Sequence, residues 1–351
     1  MKLSDFDYNL PKELIAQYPS NVRDASRLLV LDRKNESIVH KKFSQILEYF
    51  NPADLLVLNN TKVLPARVFG IREKTGAKIE FLLIKKEGGT FSVMAKPAKK
   101  FQIGENIVFG ENNGALYAKI VDKNKIVFER GNPDEIYKLG TMPLPPYIKR
   151  KNEELDFERY QTVFAEKNGS IAAPTAGLHF TKELLEKIRD KGVESVYVTL
   201  HVGTGTFKPV KVEDVAKHKM EPEYFAVNGE TMEKIAQAKK NGGRIFAVGT
   251  TSCRVIETMA ELPIVHDLSP VTHSGFTNLF IYPGYIFKAV DCLLTNFHLP
   301  KTTLFMLVCA FCAAGASTSG GAGMELIKRA YQEAIEEKYR FYSYGDAMLI
   351  V

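Results

Sequence analysis

The sequence lacks the features of a secreted or membrane-spanning chain. No basic-then-apolar signal pattern opens it, and its longest apolar run, residues 304–316, covers 13 residues, whereas a bilayer span needs about 20. Of the four cysteines, Cys309 and Cys312 are closely spaced, but no second pair or nearby histidine completes a zinc site. We therefore expect a cytoplasmic location, buried thiols at these two positions and no bound metal.

The short motifs of several common enzyme classes are also absent. The chain has no G-x-S-x-G sequence, no Walker lysine loop and no H-E-x-x-H sequence. A G-x-G pattern occurs at Gly203 and Gly205, but Lys208 and Pro209 follow it, and they do not propagate a helix. Because a dinucleotide-binding loop needs a helix to begin at once, this pattern argues only weakly for such a loop.

The positive charge is concentrated in one internal segment. Residues 61–150 contain 17 Lys and Arg against 9 Asp and Glu, a balance of +8 within a total of +6, so the remaining residues carry −2. A localised positive charge suits a polyanionic partner such as a nucleic acid. A solvated lysine-rich surface would give the same pattern, and charge alone does not decide between the two.

The arrangement of apolar runs predicts the fold class. Leu28–Asp32 and Leu55–Leu58 are short, fully apolar runs, typical of strands buried on both faces. From about residue 66 to residue 130, short strand-like runs alternate with turn residues and no helical pattern intervenes, which favours an antiparallel barrel or sandwich. Strands and helices then alternate again, with helices capped by Thr181 and Asn228 and another beginning at Ser252.

The length of 351 residues favours two domains. We predict an α/β fold, in which a larger mixed α/β domain (residues 1–60 and 150–351) carries an inserted small antiparallel β-barrel domain (residues 61–149). The glycine- and serine-rich segment 313–323 is expected to be a flexible loop.

Several segments of the α/β part are dense in groups that do chemistry. In residues 173–180, His179 lies beside the start of a predicted helix, whose free backbone N–H groups can hold an anion. An unperturbed imidazole pKa of about 6.5 suits proton transfer near neutrality, although a histidine that only satisfies local hydrogen bonds would fit this position too. His201, His218 and His298 lie in three further segments of this kind, and Asp346 precedes an apolar strand.

Seven of these segments, taken in order, resemble the S-adenosylmethionine:tRNA ribosyltransferase-isomerase family. The resemblance extends to two N-terminal pieces and runs from Asp5 to about Ile350, nearly the full length. The segments that carry it are APTAGLHF, TLHVGTGTF, HKMEPEYF, GRIFAVGTTS, IYPGYIF, LLTNFHLPKTTL and YRFYSYGDAML, with DFDYNLPKELIAQYP and NNTKVLPAR before them. Segment 313–323 departs from the family pattern, since it is longer and richer in glycine.

The resemblance implies a specific reaction. S-adenosylmethionine would serve as ribosyl donor and be consumed as a substrate, with no metal involved. The acceptor would be 7-aminomethyl-7-deazaguanine at the wobble position of tRNA with a GUN anticodon. The product would be epoxyqueuosine in tRNA, with adenine and methionine released. A mixed α/β domain with an inserted β-barrel is also what the family implies.

This chemistry needs a base for the hydrogens beside the sulfonium, an acid for the departing adenine and a neutral acceptor amine. The predicted catalytic residues are His179, His201, His218 and His298, with Asp346 orienting one of them. The predicted tRNA-binding residues are Lys62, Arg67, Lys96, Lys99 and Lys100. The predicted substrate-binding residues are Thr175, Gly177, Phe180, Gly203, Thr204, Gly205, Thr206, Phe207, Thr250, Thr251 and Asn296, where Phe180 or Phe207 either stacks on adenine or packs in the core.

Two other functions fit parts of the sequence. An S-adenosylmethionine-dependent RNA methyltransferase could use the glycine loop at residues 203–205, although the missing helix argues against it. A non-catalytic RNA-binding protein could use the basic insert, but the histidine- and glycine-rich segments would then have no purpose. We expect a monomer, because no exposed apolar stripe is evident in the sequence.

Overall fold

The computed structural model describes most of the chain. The described residues are 1–97, 102–111, 114–207, 209–261, 271–314 and 321–351, with only the backbone considered for residues 206, 207, 321 and 322. The predictions for Lys99, Lys100 and the side chains of Thr206 and Phe207 therefore lie outside the described part, as does the centre of the segment 313–323.

The described residues form seventeen strands and six α-helices. The strands are β1 (Arg27–Asp32), β2 (Ser37–Lys42), β3 (Leu55–Asn59), β4 (Thr61–Val63), β5 (Arg67–Arg72), β6 (Lys78–Glu87), β7 (Thr90–Lys96), β8 (Asn106–Phe109), β9 (Leu116–Asp122), β10 (Lys125–Arg130), β11 (Lys167–Ser170), β12 (Glu194–Leu200), β13 (Glu223–Val227), β14 (Ile245–Val248), β15 (His273–Thr277), β16 (Cys292–Asn296) and β17 (Ala347–Ile350). The helices are α1 (Leu155–Arg159), α2 (Lys182–Asp190), α3 (Gly229–Lys240), α4 (Gly249–Glu261), α5 (Thr303–Ala313) and α6 (Gly321–Glu336).

The larger sheet has nine strands in the order β15-β13-β12-β3-β14-β16-β17-β1-β2. Strands β12, β3, β14 and β16 run parallel, and the terminal strand β17 lies between β16, which is antiparallel to it, and β1, which is parallel to it. Both faces of this sheet are covered. Leu29 and Leu31 of β1 belong to one apolar core, whereas Leu28 and Val30 belong to another. The prediction that β1 is buried on both faces is confirmed, and the alternation of its side chains explains it.

Strands β5 to β10 form a closed antiparallel barrel in the order β10-β7-β6-β5-β8-β9. The barrel has its own apolar core, which includes Val68, Phe81, Phe91 and Phe109. Closure leaves no unpaired strand edge, and the absence of a helical pattern from residue 66 to residue 130 is explained by this all-strand architecture. The predicted α/β fold with a small antiparallel barrel is confirmed. The short strand β4 pairs with β11 rather than with a barrel strand.

Helix starts match the predicted caps in two cases and differ in a third. Thr181 Oγ1 accepts from the Leu184 N–H at 3.1 Å, and Asn228 Oδ1 accepts from the Thr231 N–H at 2.8 Å. Helix α4 begins at Gly249, three residues before the predicted Ser252, because the chain turns directly from β14 into the helix through the positive φ of Gly249, +87°.

The prediction of buried thiols at Cys309 and Cys312 is confirmed. Both lie on α5 and are fully buried, and burial raises the pKa of Cys312 to about 12. In the described part of the chain, none of the helices combines the length and the apolar character needed to cross a bilayer.

Candidate active site

The carboxyl ends of parallel strands create an open cleft of about 730 Å³. Because β12, β14 and β16 run in the same direction, the residues that follow them meet at one edge of the sheet, where ligands of open α/β sheets commonly bind. Val202 comes after β12, Gly249 begins directly after β14, and Asn296 ends β16. Ser343, shortly before β17, reaches the same edge because β17 runs antiparallel to β16.

Five of the predicted residues line this cleft, namely Thr175, Thr250, Thr251, Asn296 and His298. Its walls combine apolar side chains such as Ala172, Ala176 and Leu304 with the rings of Tyr147, Tyr160 and Tyr342. A mostly apolar cleft of several hundred Å³ with a few convergent polar groups is the usual form of a small-molecule site.

Asn296 Oδ1 and Thr251 Oγ1 are among the buried oxygen atoms of cleft-lining side chains that have no hydrogen-bond partner in the described structure. Leaving such an atom unpaired costs about 1–3 kcal/mol, so both are positioned to bond a ligand. Thr251 lies in the first turn of α4, whose initial N–H groups have no partner within the helix. The cleft therefore offers an acceptor on one wall and helix-start donors on another.

The amide of Asn296 is fixed by its other contacts. Its Nδ2 donates toward the carbonyl oxygen of Asp346 at 3.4 Å and lies 3.1 Å from His179 Nε2. Since only the NH₂ group can donate to a carbonyl, the assigned orientation leaves Oδ1 facing the cleft. The same contact makes His179 Nε2 the acceptor, so the ring carries its proton on Nδ1.

His179 is buried behind the cleft rather than on its surface. Its Nδ1 lies 2.7 Å from Ser26 Oγ, and its ring stacks on Phe43 with centroids 5.0 Å apart. Burial, with smaller contributions from the charges of Arg340 and Arg23, lowers the pKa of His179 to about 3. The imidazole is therefore neutral near pH 7, and it holds Asn296 in place.

His298 is the predicted histidine that lines the cleft. Its Nε2 lies 2.8 Å from Thr295 Oγ1, and its backbone N–H donates to the hydroxyl of Tyr331 at 3.1 Å. Burial lowers its pKa to about 3, so this ring too is unprotonated near neutral pH. An unprotonated imidazole at the wall can accept a hydrogen bond from a bound molecule.

The other two predicted histidines lie outside the cleft. His201 Nδ1 is 2.8 Å from Thr61 Oγ1, and its ring stacks on Tyr224. His218 packs edge-on against Phe280 with centroids 5.1 Å apart. Burial lowers the pKa of both, and only nearby residues of their segments, Val202 and Met220, reach the cleft. The structure therefore does not bring these two rings together with His298.

Asp346 was predicted to orient a histidine, and the contacts of its carboxylate among the described residues contradict this role. Its buried carboxylate accepts from the backbone N–H groups of Arg27 at 3.1 Å and Arg340 at 2.8 Å, and from the Arg340 guanidinium at 3.3 Å. Asp346 instead anchors the turn before β17 to β1. Only its backbone carbonyl reaches toward the site, through Asn296.

Of the two aromatic residues that were candidates for stacking on adenine, Phe180 does not line the cleft. Phe180 is fully buried in the core between α2 and the sheet, where it packs edge-on against Phe43. The structure therefore supports packing in the core, and not stacking on adenine, as the role of Phe180. Gly177 also lies outside the cleft, and a side chain there would collide with Thr162 and Phe164.

The glycine loop at residues 203–205 is held by carboxylates rather than exposed at the cleft. The Gly203 N–H donates to Glu223 Oε1 at 2.9 Å, and Thr204 Oγ1 donates to Glu221 Oε2 at 3.3 Å. Gly205 packs against the side chain of Glu221. The loop is positioned by these bonds, and it does not form a helix-start phosphate cradle.

Sequence reasoning missed Arg254, a cleft-lining residue that is 4% exposed. Its guanidinium forms a buried ion pair with Glu223 and donates from Nε to the Leu279 carbonyl at 3.0 Å. Because Glu223 also holds Gly203, this pair joins the glycine loop to helix α4. An arginine among apolar residues of a helix was the available signal.

The predicted tRNA-binding residues in the described part of the chain differ in whether a carboxylate compensates their charge. Lys62 and Lys96 are exposed and form no ion pair in the part of the chain that is described. Arg67, in contrast, pairs with Glu80 and donates to the Leu144 carbonyl at 2.9 Å. Its charge is therefore largely compensated.

Comparisons with known proteins cover the whole chain. A family model described as "Queuosine biosynthesis protein" matches residues 3–350. Similar curated proteins, each named S-adenosylmethionine:tRNA ribosyltransferase-isomerase, come from Sulfurihydrogenibium sp. at 51% identity over 354 residues and from Clostridioides difficile at 50% over 358 residues, with 100% of both chains covered in each case.

A solved structure of a similar protein also matches nearly the whole chain. The crystal structure of an S-adenosylmethionine tRNA ribosyltransferase from Thermotoga maritima is 39% identical to this chain, with a TM-score of 0.56, and the match covers 99% of this chain and 100% of that one.

Proposed function

The chain belongs to the S-adenosylmethionine:tRNA ribosyltransferase-isomerase family, and we propose that S-adenosylmethionine, the ribosyl donor, binds in the cleft at Asn296, Thr251 and His298. The protein is a tRNA-modifying enzyme of queuosine biosynthesis. Its reaction moves and isomerises the ribosyl group of the donor onto 7-aminomethyl-7-deazaguanine in tRNA, with release of adenine and methionine, and gives epoxyqueuosine in the tRNA.

Asn296 Oδ1 and Thr251 Oγ1, which are buried and have no partner among the described residues, carry the proposal for the donor site. Asn296 Oδ1 is an acceptor that matches an N–H group of the donor, on either its ammonium or its adenine. Thr251 and the N–H groups at the start of α4 match a carboxylate, which a helix N-terminus stabilises. The apolar walls and tyrosine rings suit the ribose and the adenine face.

His298 is proposed as the catalytic residue that touches the reacting atoms. The sulfonium acidifies the hydrogens on the adjacent ribose carbon, and His298, whose ring lies at the cleft wall, is proposed to accept one of them. His179 is proposed as a positioning residue, because it acts through Asn296. His201 and His218 have no proposed contact with the donor.

For the tRNA, we propose that part of the contact surface lies on the barrel and on the neighbouring strand β4. Its first candidates are the exposed cations Lys62 of β4 and Lys96 of β7, with Lys99 and Lys100 as further candidates. The division into residues 1–60 with 150–351 and an inserted domain 61–149, the GUN-anticodon specificity and a monomeric state belong to the same proposal. A panel of tRNAs differing only in the anticodon tests the specificity, and sedimentation of the active protein tests the monomer.

A release assay tests the proposed function. The protein is mixed with S-adenosylmethionine and a GUN-anticodon tRNA carrying the aminomethyl-deazaguanine base, and adenine, methionine and tRNA mass are followed together. Equal release of adenine and methionine with a matching gain in tRNA mass is expected. A methyl-sized gain with S-adenosylhomocysteine would instead indicate a methyltransferase, and binding without turnover would indicate a non-catalytic protein.

A further inference from the structure

A second cavity, of about 270 Å³, lies behind the cleft and is lined by three arginines, Arg23, Arg159 and Arg340. They come from separate parts of the chain: the short 3₁₀ helix Arg23–Ala25, the end of α1 and the segment before β17. Among the described residues that line it, none carries a carboxylate. Ser343 lines both this cavity and the cleft, and His179 is on its wall.

The positive charge of this cavity is only partly compensated. Arg340 pairs with Asp346 at 3.3 Å, but Arg23 and Arg159 form no ion pair within the described residues. Their outer nitrogens donate to backbone carbonyls instead, Arg23 to Leu178 at 3.0 Å and Arg159 to Asn21 at 3.1 Å. Burial, and next the charge of Arg159, lowers the pKa of the Arg23 guanidinium. Holding two unpaired cations side by side is unfavourable unless an anion joins them.

One donor in the cavity wall is also unused. The Arg159 Nε atom is buried and has no hydrogen-bond partner in the described structure. A guanidinium offers several N–H groups in a rigid fork, which matches the oxygens of a phosphate or carboxylate. His179 is neutral near pH 7 and adds no charge, so the surplus comes from Arg23 and Arg159. The cavity thus has the charge and the donors for one oxyanion.

We infer that this arginine cavity binds a backbone phosphate of the tRNA, close to the nucleotide that is modified. The inference rests on the proposed function, since the reacting base must approach the donor in the adjoining cleft. The donor's own carboxylate has its proposed place at the start of α4, on the other side of the His179–Asn296 contact. A phosphodiester is the remaining anion that the reaction brings to this position.

The test compares Arg23→Gln and Arg159→Gln with Arg189→Gln, a change on the exposed surface of α2 where the side chain is 75% accessible. The dissociation constant for tRNA is measured over a range of salt concentrations, and the KM for S-adenosylmethionine is measured alongside. Each cavity variant is expected to weaken tRNA binding by about tenfold and to lower the salt slope by about one, while the KM changes less than twofold. Arg189→Gln is expected to match the wild type.

Two results would overturn the inference. One is tRNA affinity and salt slope within twofold of Arg189→Gln in both cavity variants. The other is a raised KM for S-adenosylmethionine with unchanged tRNA affinity, because the anion would then be the donor's carboxylate. If glutamine at these positions lowers the thermal midpoint, the variants Arg23→Lys and Arg159→Lys are used to separate an effect on tRNA binding from an effect on stability. They keep the charge but lose the fork, so tRNA binding should weaken at least threefold at an unchanged midpoint, and wild-type affinity would contradict the inference.

Adenine release by the wild-type protein separates this inference from the proposed function. Adenine release by the wild type, together with unaltered tRNA binding in the cavity variants, would contradict the phosphate site and leave the proposed function intact. No release from the wild type would remove the proposed function and, with it, the reason to place tRNA here.

Discussion

Asn296 Nδ2 lies 3.1 Å from His179 Nε2, and this contact forms the wall between the donor cleft and the arginine cavity. It fixes the asparagine with Oδ1 toward the cleft, and it fixes the histidine with its proton on Nδ1 toward Ser26. One buried polar contact therefore sets the hydrogen-bonding character of both sites.

Removing the amide should weaken use of the donor. In Asn296→Ala, the loss of a buried hydrogen bond to S-adenosylmethionine is expected to lower kcat/KM for the donor by about 10- to 100-fold. Steady-state adenine release measures this. The control is Asn241→Ala, at an exposed position after α3. Wild-type kcat/KM in Asn296→Ala would remove Asn296 from the donor site.

Substitutions of the two buried histidines should change different kinetic constants. His298→Ala is expected to lower kcat by about 10²- to 10⁴-fold, because a proton acceptor at the cleft wall is lost. His179→Ala should act mainly on the KM of the donor through the displaced Asn296, and His179→Gln, which can still accept a hydrogen bond, should recover part of it. His218→Ala should stay within a few-fold of the wild type, and a loss of kcat there equal to that of His298→Ala would contradict this assignment.

The same histidines make stability depend on pH. Each has a pKa of about 3 in the folded protein, against about 6.5 in the unfolded chain. Between these values the unfolded state binds more protons, so the stabilisation present above pH 6.5 is lost as pH falls toward 3. Urea unfolding between about pH 7 and pH 5 should show a loss of up to about 1.4 kcal/mol per pH unit for each histidine. A double His179→Gln, His298→Gln variant should flatten this dependence, and an equally steep one would argue against it.

Replacing one partner of the buried ion pair should cost more stability than replacing both partners. Arg254→Met removes the cation that pairs with the buried Glu223 carboxylate and should lower the free energy of unfolding by about 3–5 kcal/mol. Adding Glu223→Gln to this variant should recover part of the loss. Denaturant unfolding of the single and double variants measures the coupling, and additive losses would show that the two side chains act independently.

Charge reversal on the barrel should weaken tRNA binding. Changing Lys96, Lys99 and Lys100 together to Glu is expected to raise the tRNA dissociation constant and reduce its salt slope, since phosphate contacts dominate such affinity. Lys138→Glu is the comparison, because Lys138 already pairs with Glu135 at 2.5 Å. Unchanged affinity and slope in the triple variant would falsify the barrel contribution.

Many strands and helices could be predicted from the sequence because the residue patterns that indicate them are local. Short, fully apolar runs predicted β1 and β3, and the capping residues predicted α2 and α3. Asn296 and His298 were found because residues at the ends of parallel strands share one edge of the sheet. The start of α4 was missed by three residues because Gly249 turns the chain immediately after β14.

Partners that lie far apart in the chain could not be predicted from the sequence. Asp346 bonds to Arg27 and Arg340 rather than to a histidine, and nothing within its own segment indicates Arg27. Phe180 looked equally suited to a ligand slot and to the core, and only the packing of Phe43 against it decides. The pairing of Arg254 with Glu223 likewise depends on the register of β13 in the sheet.

The position of β17 also bears on how the chain acquires its shape during synthesis. Strands β1 and β2 join the nine-stranded sheet through residues 347–350 alone, so their place in the sheet depends on residues that are synthesised long after them. Until then β1 and β16 each present an apolar, unpaired edge to the cell. Asn296 pairs in register with Ala347, so the donor site is completed in the same event. A chain whose synthesis has not yet reached these residues therefore lacks the strand that pairs with Asn296 and leaves β1 and β2 without a neighbour in the sheet.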